Sequence, residues 1–115
     1  MEKIVEKNTE KTKNAVQTVP ACDIMEENGT VQLMMDLPGV KAENLDIDVK
    51  ARQLRISGTM EGTWQGYQVE FRRSFNLSED IDTTKISAKL KDGVLTLSLP
   101  KVPSAQVHKD RKSVV

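Results

Sequence analysis

Ala88-Lys89-Leu90-Lys91-Asp92-Gly93-Val94-Leu95-Thr96-Leu97-Ser98-Leu99-Pro100-Lys101 is the stretch that decides the fold. Leu95, Leu97 and Leu99 recur at every second position, the period of a strand with one face buried, not of a helix. Lys91-Asp92-Gly93 is a turn, because Asp-Gly accepts the backbone angles that a tight reversal requires. Pro100 stops the run, since proline brings no amide donor to a ladder.

Working outward, the same period returns. Val31, Leu33 and Met35 alternate with Gln32, Met34 and Asp36 and run into Leu37-Pro38-Gly39. Glu27-Asn28-Gly29 before them is a hairpin signal. Leu45, Ile47 and Val49 alternate with Asp46, Asp48 and Lys50, and Leu54 and Ile56 with Arg55 and Ser57. Tyr67, Val69, Phe71, Arg73 and Phe75 share one face of a longer strand. No interval leaves room for a long crossover helix; Ile81–Ile86 holds at most one helical turn. The expectation is all-β: an antiparallel sandwich of about seven or eight strands over residues 21–100.

The flanks differ. Residues 1–19 are polar, with no regular apolar stripe, and read as a flexible N-terminal arm closed by Pro20. Residues 20–101 form the domain, and residues 102–115 a flexible C-terminal extension. Lys+Arg equals Asp+Glu at 17 each, so the formal net charge is zero. That balance gives no general attraction to nucleic acid or to an anionic membrane. No apolar run approaches a bilayer span, and Met1–Lys7 lacks the apolar core of a signal peptide. Cys22 is the only cysteine, which excludes an internal disulfide. The expected compartment is the cytoplasm, and Cys22 reads as a small core residue.

Catalytic chemistry finds no foothold. His108, the only histidine, stands in the tail, far along the chain from Cys22, with no third group to orient a base. Structural zinc wants four Cys or His ligands, and the chain has two. Asp46 and Asp48 read as a solvated outer face, and Glu79, Asp80 and Asp82 as a solubilising loop. The six glycines stand singly, and a Gly-Lys-Ser/Thr phosphate loop is absent. The expectation is a non-enzyme without metal, cofactor or nucleotide.

Several stretches together resemble one family. Ala88-Lys-Leu-Lys-Asp-Gly93-Val94-Leu95 resembles the Ala-x-x-x-x-Gly-Val-Leu motif of the small heat-shock, or α-crystallin, family, followed by its Leu-Pro-Lys at Leu99-Pro100-Lys101. Asp36-Leu37-Pro38-Gly39-Val40 is similar to its Leu-Pro-Gly-Val turn, Leu54-Arg-Ile56-Ser-Gly58 to its Leu-x-Ile-x-Gly strand, and Phe71-Arg-Arg73-Ser-Phe75 to its Phe-x-Arg-x-Phe. The five motifs occur in order across residues 20–101.

The resemblance implies an immunoglobulin-like sandwich, the α-crystallin domain. It implies an ATP-independent holdase that binds partly unfolded client proteins and assembles from dimers, with itself and another small heat-shock protein as partners. The matching apolar groove would comprise Leu45, Ile47, Val49, Ala88 and Leu90. Val114 and Val115 would be the C-terminal anchor, with Ser113 standing where the family's Ile-x-Ile has its first Ile. Arg73 matches an arginine that supports the dimer and the sheet. The chain between Gly58 and Phe71 is short, so the dimer is expected through the long strand, at Gln68, Val69, Glu70, Phe71, Arg72 and Arg73, and not through a swapped loop. The alternative is a CS-type co-chaperone adaptor, which shares the sandwich and binds one specific partner. A ligand-binding sandwich is disfavoured by the scarcity of aromatic and polar pocket residues.

Overall fold

The computed structural model describes residues 15–104. Among these described residues eight strands follow in chain order: β1 Ala15–Thr18, β2 Cys22–Glu27, β3 Thr30–Asp36, β4 Val40–Lys50, β5 Gln53–Met60, β6 Gln68–Asn76, β7 Ser87–Lys91 and β8 Val94–Pro100. They form two four-stranded sheets, ordered β1-β6-β5-β4 and β2-β3-β8-β7. Every pairing is antiparallel except β1 with β6, which is parallel. The β-sandwich expected from the alternation is present, and Thr83–Lys85 makes the single 3-10 turn foreseen near Ile81–Ile86.

The alternating residues meet between the sheets. Leu33 and Met35 of β3 stand opposite Leu97 and Leu95 of β8. Leu54 and Ile56 of β5 stand opposite Phe75 and Arg73 of β6. Met35, Leu37, Leu54, Leu95, Leu97 and Leu99 are fully buried, with Val40, Ile56, Phe71 and Ile81 beside them. Burying one such side chain stabilises the fold by about 1.5–3 kcal/mol. Val40 and Leu45 differ in parity, yet both serve the inner side. A register shift between them in β4 reconciles the two, the effect of a β-bulge.

Two of the sequence motifs touch. The Leu37 amide donates to the Gly93 carbonyl at 2.7 Å. Gly93 has φ +77°, and a Cβ there would sit 3.5 Å from Pro38 Cα. The Leu-Pro-Gly turn and the Asp-Gly-Val turn therefore close one end of the sandwich against each other. Asn28-Gly29 and Asp92-Gly93 both take positive φ, as their sequences predicted. The β4–β5 turn does so too, at Ala51 and Arg52, without any glycine or asparagine to announce it.

One expectation is corrected. Ala15–Thr18, read as part of the flexible arm, form β1 on the edge of β6. A sheet edge offers backbone donors and acceptors to any extended chain, so this pairing needs no apolar stripe.

Candidate functional site

The residues expected at a dimer contact, Gln68, Val69, Glu70, Phe71, Arg72 and Arg73, all lie on β6. Val69, Phe71 and Arg73 share one face of the strand, and Gln68, Glu70 and Arg72 the other. β1 covers the first part of the edge, with Ala15 beside Gln68, Val16 beside Val69, Gln17 beside Glu70 and Thr18 beside Phe71. Gln17 Nε2 donates to Glu70 Oε1 at 3.1 Å. The Arg72 guanidinium lies 3.4 Å from the Glu70 carboxylate.

Arg73 is half-buried, as its apolar parity predicted. Its partner is not a carboxylate. Nη1 donates to the Pro20 carbonyl at 3.0 Å, and the guanidinium lies 5.0 Å from the centroid of the Phe75 ring. The arginine thus fastens the connection between β1 and β2 to the middle of β6. Cys22 lies close enough to feel its charge. Burial pushes the thiol pKa up, and the Arg73 cation pulls the other way. Half-buried Cys22 packs on the core, in keeping with a small apolar role.

The expected groove residues occupy the terminal strand of each sheet. Leu45, Ile47 and Val49 of β4 stand opposite Gly58, Ile56 and Leu54. Ala88 and Leu90 of β7 stand opposite Leu97 and Leu95. All five therefore have core-facing parity at a sheet edge. Leu45, Ile47, Val49 and Leu90 are half-buried against the core, and Ala88 is exposed. His108, Ser113, Val114 and Val115 lie outside the described residues.

Asp46 and Asp48 face outward, as expected. With Arg55, Ser57, Arg72 and Ser74 they line a shallow polar depression across β4, β5 and β6. Among the described residues no group of three His, Cys, Asp or Glu is placed to hold a metal ion, and no helix is long and apolar enough to cross a membrane. In the acidic loop, Asp82 accepts from the Thr84 amide at 3.0 Å and from its hydroxyl at 2.6 Å. These hydrogen bonds hold the carboxyl pKa below its ordinary value.

Arg52 was not singled out by its sequence context. Its Nη2 donates to the carbonyls of Ser78 at 2.5 Å and Ile81 at 2.6 Å, while its own carbonyl accepts from the Leu77 amide at 2.8 Å. It clamps the acidic loop to the β4–β5 turn. Arg52→Ala should cost about 1–3 kcal/mol, since it removes a charged donor from two carbonyls, of which that of Ser78 keeps the Ile81 amide. Chemical denaturation checks this, and an unchanged midpoint would show that the clamp contributes nothing. At the tight end of the β5–β6 hairpin, Trp64 and Tyr67 bridge each other, and both are exposed. The short interval between Gly58 and Phe71 thus closes as a hairpin between β5 and β6.

The fold and its edges define a β-sandwich domain whose open features, among the described residues, are strand edges and apolar margins. The model of the Hsp20/alpha crystallin family matches residues 23–115. The chain belongs to that family. It is 38% identical over 90 residues to the Probable 15 kDa heat shock protein of Leptospira interrogans, covering 71% of this chain and 69% of that protein. It is 29% identical over 100 residues to Small heat shock protein C4 of Rickettsia felis, covering 78% of this chain and 61% of that one. Among solved structures it resembles Heat shock protein 16.0 from Schizosaccharomyces pombe, with a TM-score of 0.62 and 31% identity over 74% of this chain and 88% of that chain. These matches support a chaperone role and do not favour the CS-type adaptor.

Proposed function

We propose that the chain is an ATP-independent holdase that binds partly unfolded proteins and limits their aggregation. The observation that carries this is apolar surface left at the margins of a family sandwich. Ile24 is 60% exposed, Met25 54%, Val19 69% and Trp64 58%. Unfolding clients expose apolar surface of their own, and burying it is worth about 25 cal/mol per Å². Holding by burial needs no phosphate loop, and the sequence contains none.

The working unit is a dimer joined through β6, at Gln68, Val69, Glu70, Phe71, Arg72 and Arg73. The edges of β4 and β7, with Leu45, Ile47, Val49, Ala88 and Leu90, receive a C-terminal Val114-Val115 anchor or a client segment. Partners are further copies of this chain, unfolding clients and a second small heat-shock protein, in the cytoplasm. Neither nucleic acid nor membrane is a partner.

Light-scattering mass, measured alone and then after heating with a destabilised client, tests this. The free protein should be a dimer or a small exchanging assembly, and the heated mixture should yield soluble complexes containing client. Recovery of one stoichiometric partner, with no capture of unrelated clients, would speak for an adaptor instead.

A further inference from the structure

The edge assigned to self-association is already partly occupied. On one side β6 pairs with β5 from Glu70 to Asn76. On the other, β1 pairs with Gln68–Phe71 only, so Arg72–Asn76 have no strand partner there among the described residues. β1 is lightly held. It has four residues, all exposed, in the parallel arrangement that is slightly weaker per residue than the antiparallel one. Its one recorded side-chain tie is Gln17 to Glu70.

A second copy's β6 suits the same edge better. Antiparallel pairing about a two-fold axis at Phe71 would set Glu70 opposite Arg72 of the second copy, and Arg72 opposite its Glu70. Opposite charges facing across strands stabilise a pair, and the two-fold makes each contact twice. Within one chain, Glu70 is instead shared between Gln17 and its own Arg72.

We propose that β1 is a displaceable guard strand, and that β1 and the β6 of a second copy compete for the Gln68–Phe71 edge. The occupant of the freed edge is this chain itself. The inference rests on the β6 dimer proposed above. While β1 is seated, a copy can reach only Arg72–Asn76; when β1 lifts, the whole strand is open. The hinge is Val19-Pro20-Ala21, tethered at Pro20 by Arg73, so the guard remains close by when displaced.

Dimer dissociation constants of the full-length chain, from sedimentation equilibrium, test it in three arms. Val16→Pro/Gln17→Pro removes the amide facing β6 whichever residue carries it, because alternate residues point toward a partner strand. It should tighten the dimer by about a hundredfold, because both copies must open and each edge, closed roughly nine-tenths of the time, carries a tax of about tenfold. Ala15→Cys/Gln68→Cys joins two exposed register partners. In a Cys22→Ala background, its oxidation should weaken the dimer by about tenfold or more, and reduction should restore it. Glu70→Arg should weaken the dimer, and Glu70→Arg/Arg72→Glu should recover it.

Recovery in the charge swap with no response in the first two arms would overturn the guard and leave the β6 dimer standing. Indifference to the charge arm would overturn the β6 dimer itself. Weakening by the proline pair would overturn the guard by placing β1 inside the interface. If the proline variant fails to fold, the reversible lock decides.

Discussion

Arg73→Gly should lower stability by about 3 kcal/mol and loosen assembly. A hydrogen bond from a charged donor is worth about 1.5–3 kcal/mol, and its Pro20 acceptor lies at 3.0 Å. The cation over the Phe75 ring contributes about 0.5–1 kcal/mol. Glycine inside a strand costs about 0.5–1 kcal/mol more in chain entropy. In a domain of this size the sum lowers Tm by roughly 10–20 °C. Arg73 also stands among the residues proposed at the β6 contact, so its loss should loosen the assembly as the melting temperature falls. Arg73→Lys retains a charge but not the planar fork, and should fall between the two. Unchanged mass and melting temperature in Arg73→Gly would refute the role.

Ser113→Ile should enlarge the assembly. An apolar anchor at that position, added to Val114 and Val115, would gain about 1.5–3 kcal/mol of burial per docked tail. That is about one to two decades of affinity, repeated for every subunit. The proposed receiving edges are those of Leu45, Ile47 and Val49 on β4 and of Ala88 and Leu90 on β7. Light-scattering mass at micromolar concentration should shift from a small exchanging species toward larger ones. If the unmodified chain already forms a large stable oligomer, and removing residues 111–115 leaves it intact, the tail does not act as an anchor.

What the sequence made legible was whatever side chains enforce. The alternation of Leu95, Leu97 and Leu99, or of Leu54 and Ile56, places one face inward whatever the neighbours are. Asn28-Gly29 and Asp92-Gly93 announce their turns because few residues accept positive φ. The five ordered motifs then narrowed the sandwich to one family. Features made by backbone stayed hidden. β1 is held chiefly by ladder hydrogen bonds, to which Ala15, Val16, Gln17 and Thr18 contribute little that composition could signal. The partner of Arg73 is the Pro20 carbonyl, a group every residue carries, so the sequence could not single it out. Arg52 escaped notice likewise: its turn lacks glycine, and its three contacts are all with backbone. The bulge that brings Val40 and Leu45 to the same side breaks the very period used to read β4.

Heat-induced client aggregation, followed by turbidity, is the decisive test of nucleotide-independent holding. Several unrelated clients should be heated with increasing amounts of this chain, with and without ATP. Measurable but modest suppression of turbidity is expected for all of them, with the same dose dependence in either condition. Suppression that requires ATP, or none toward any client, would contradict it.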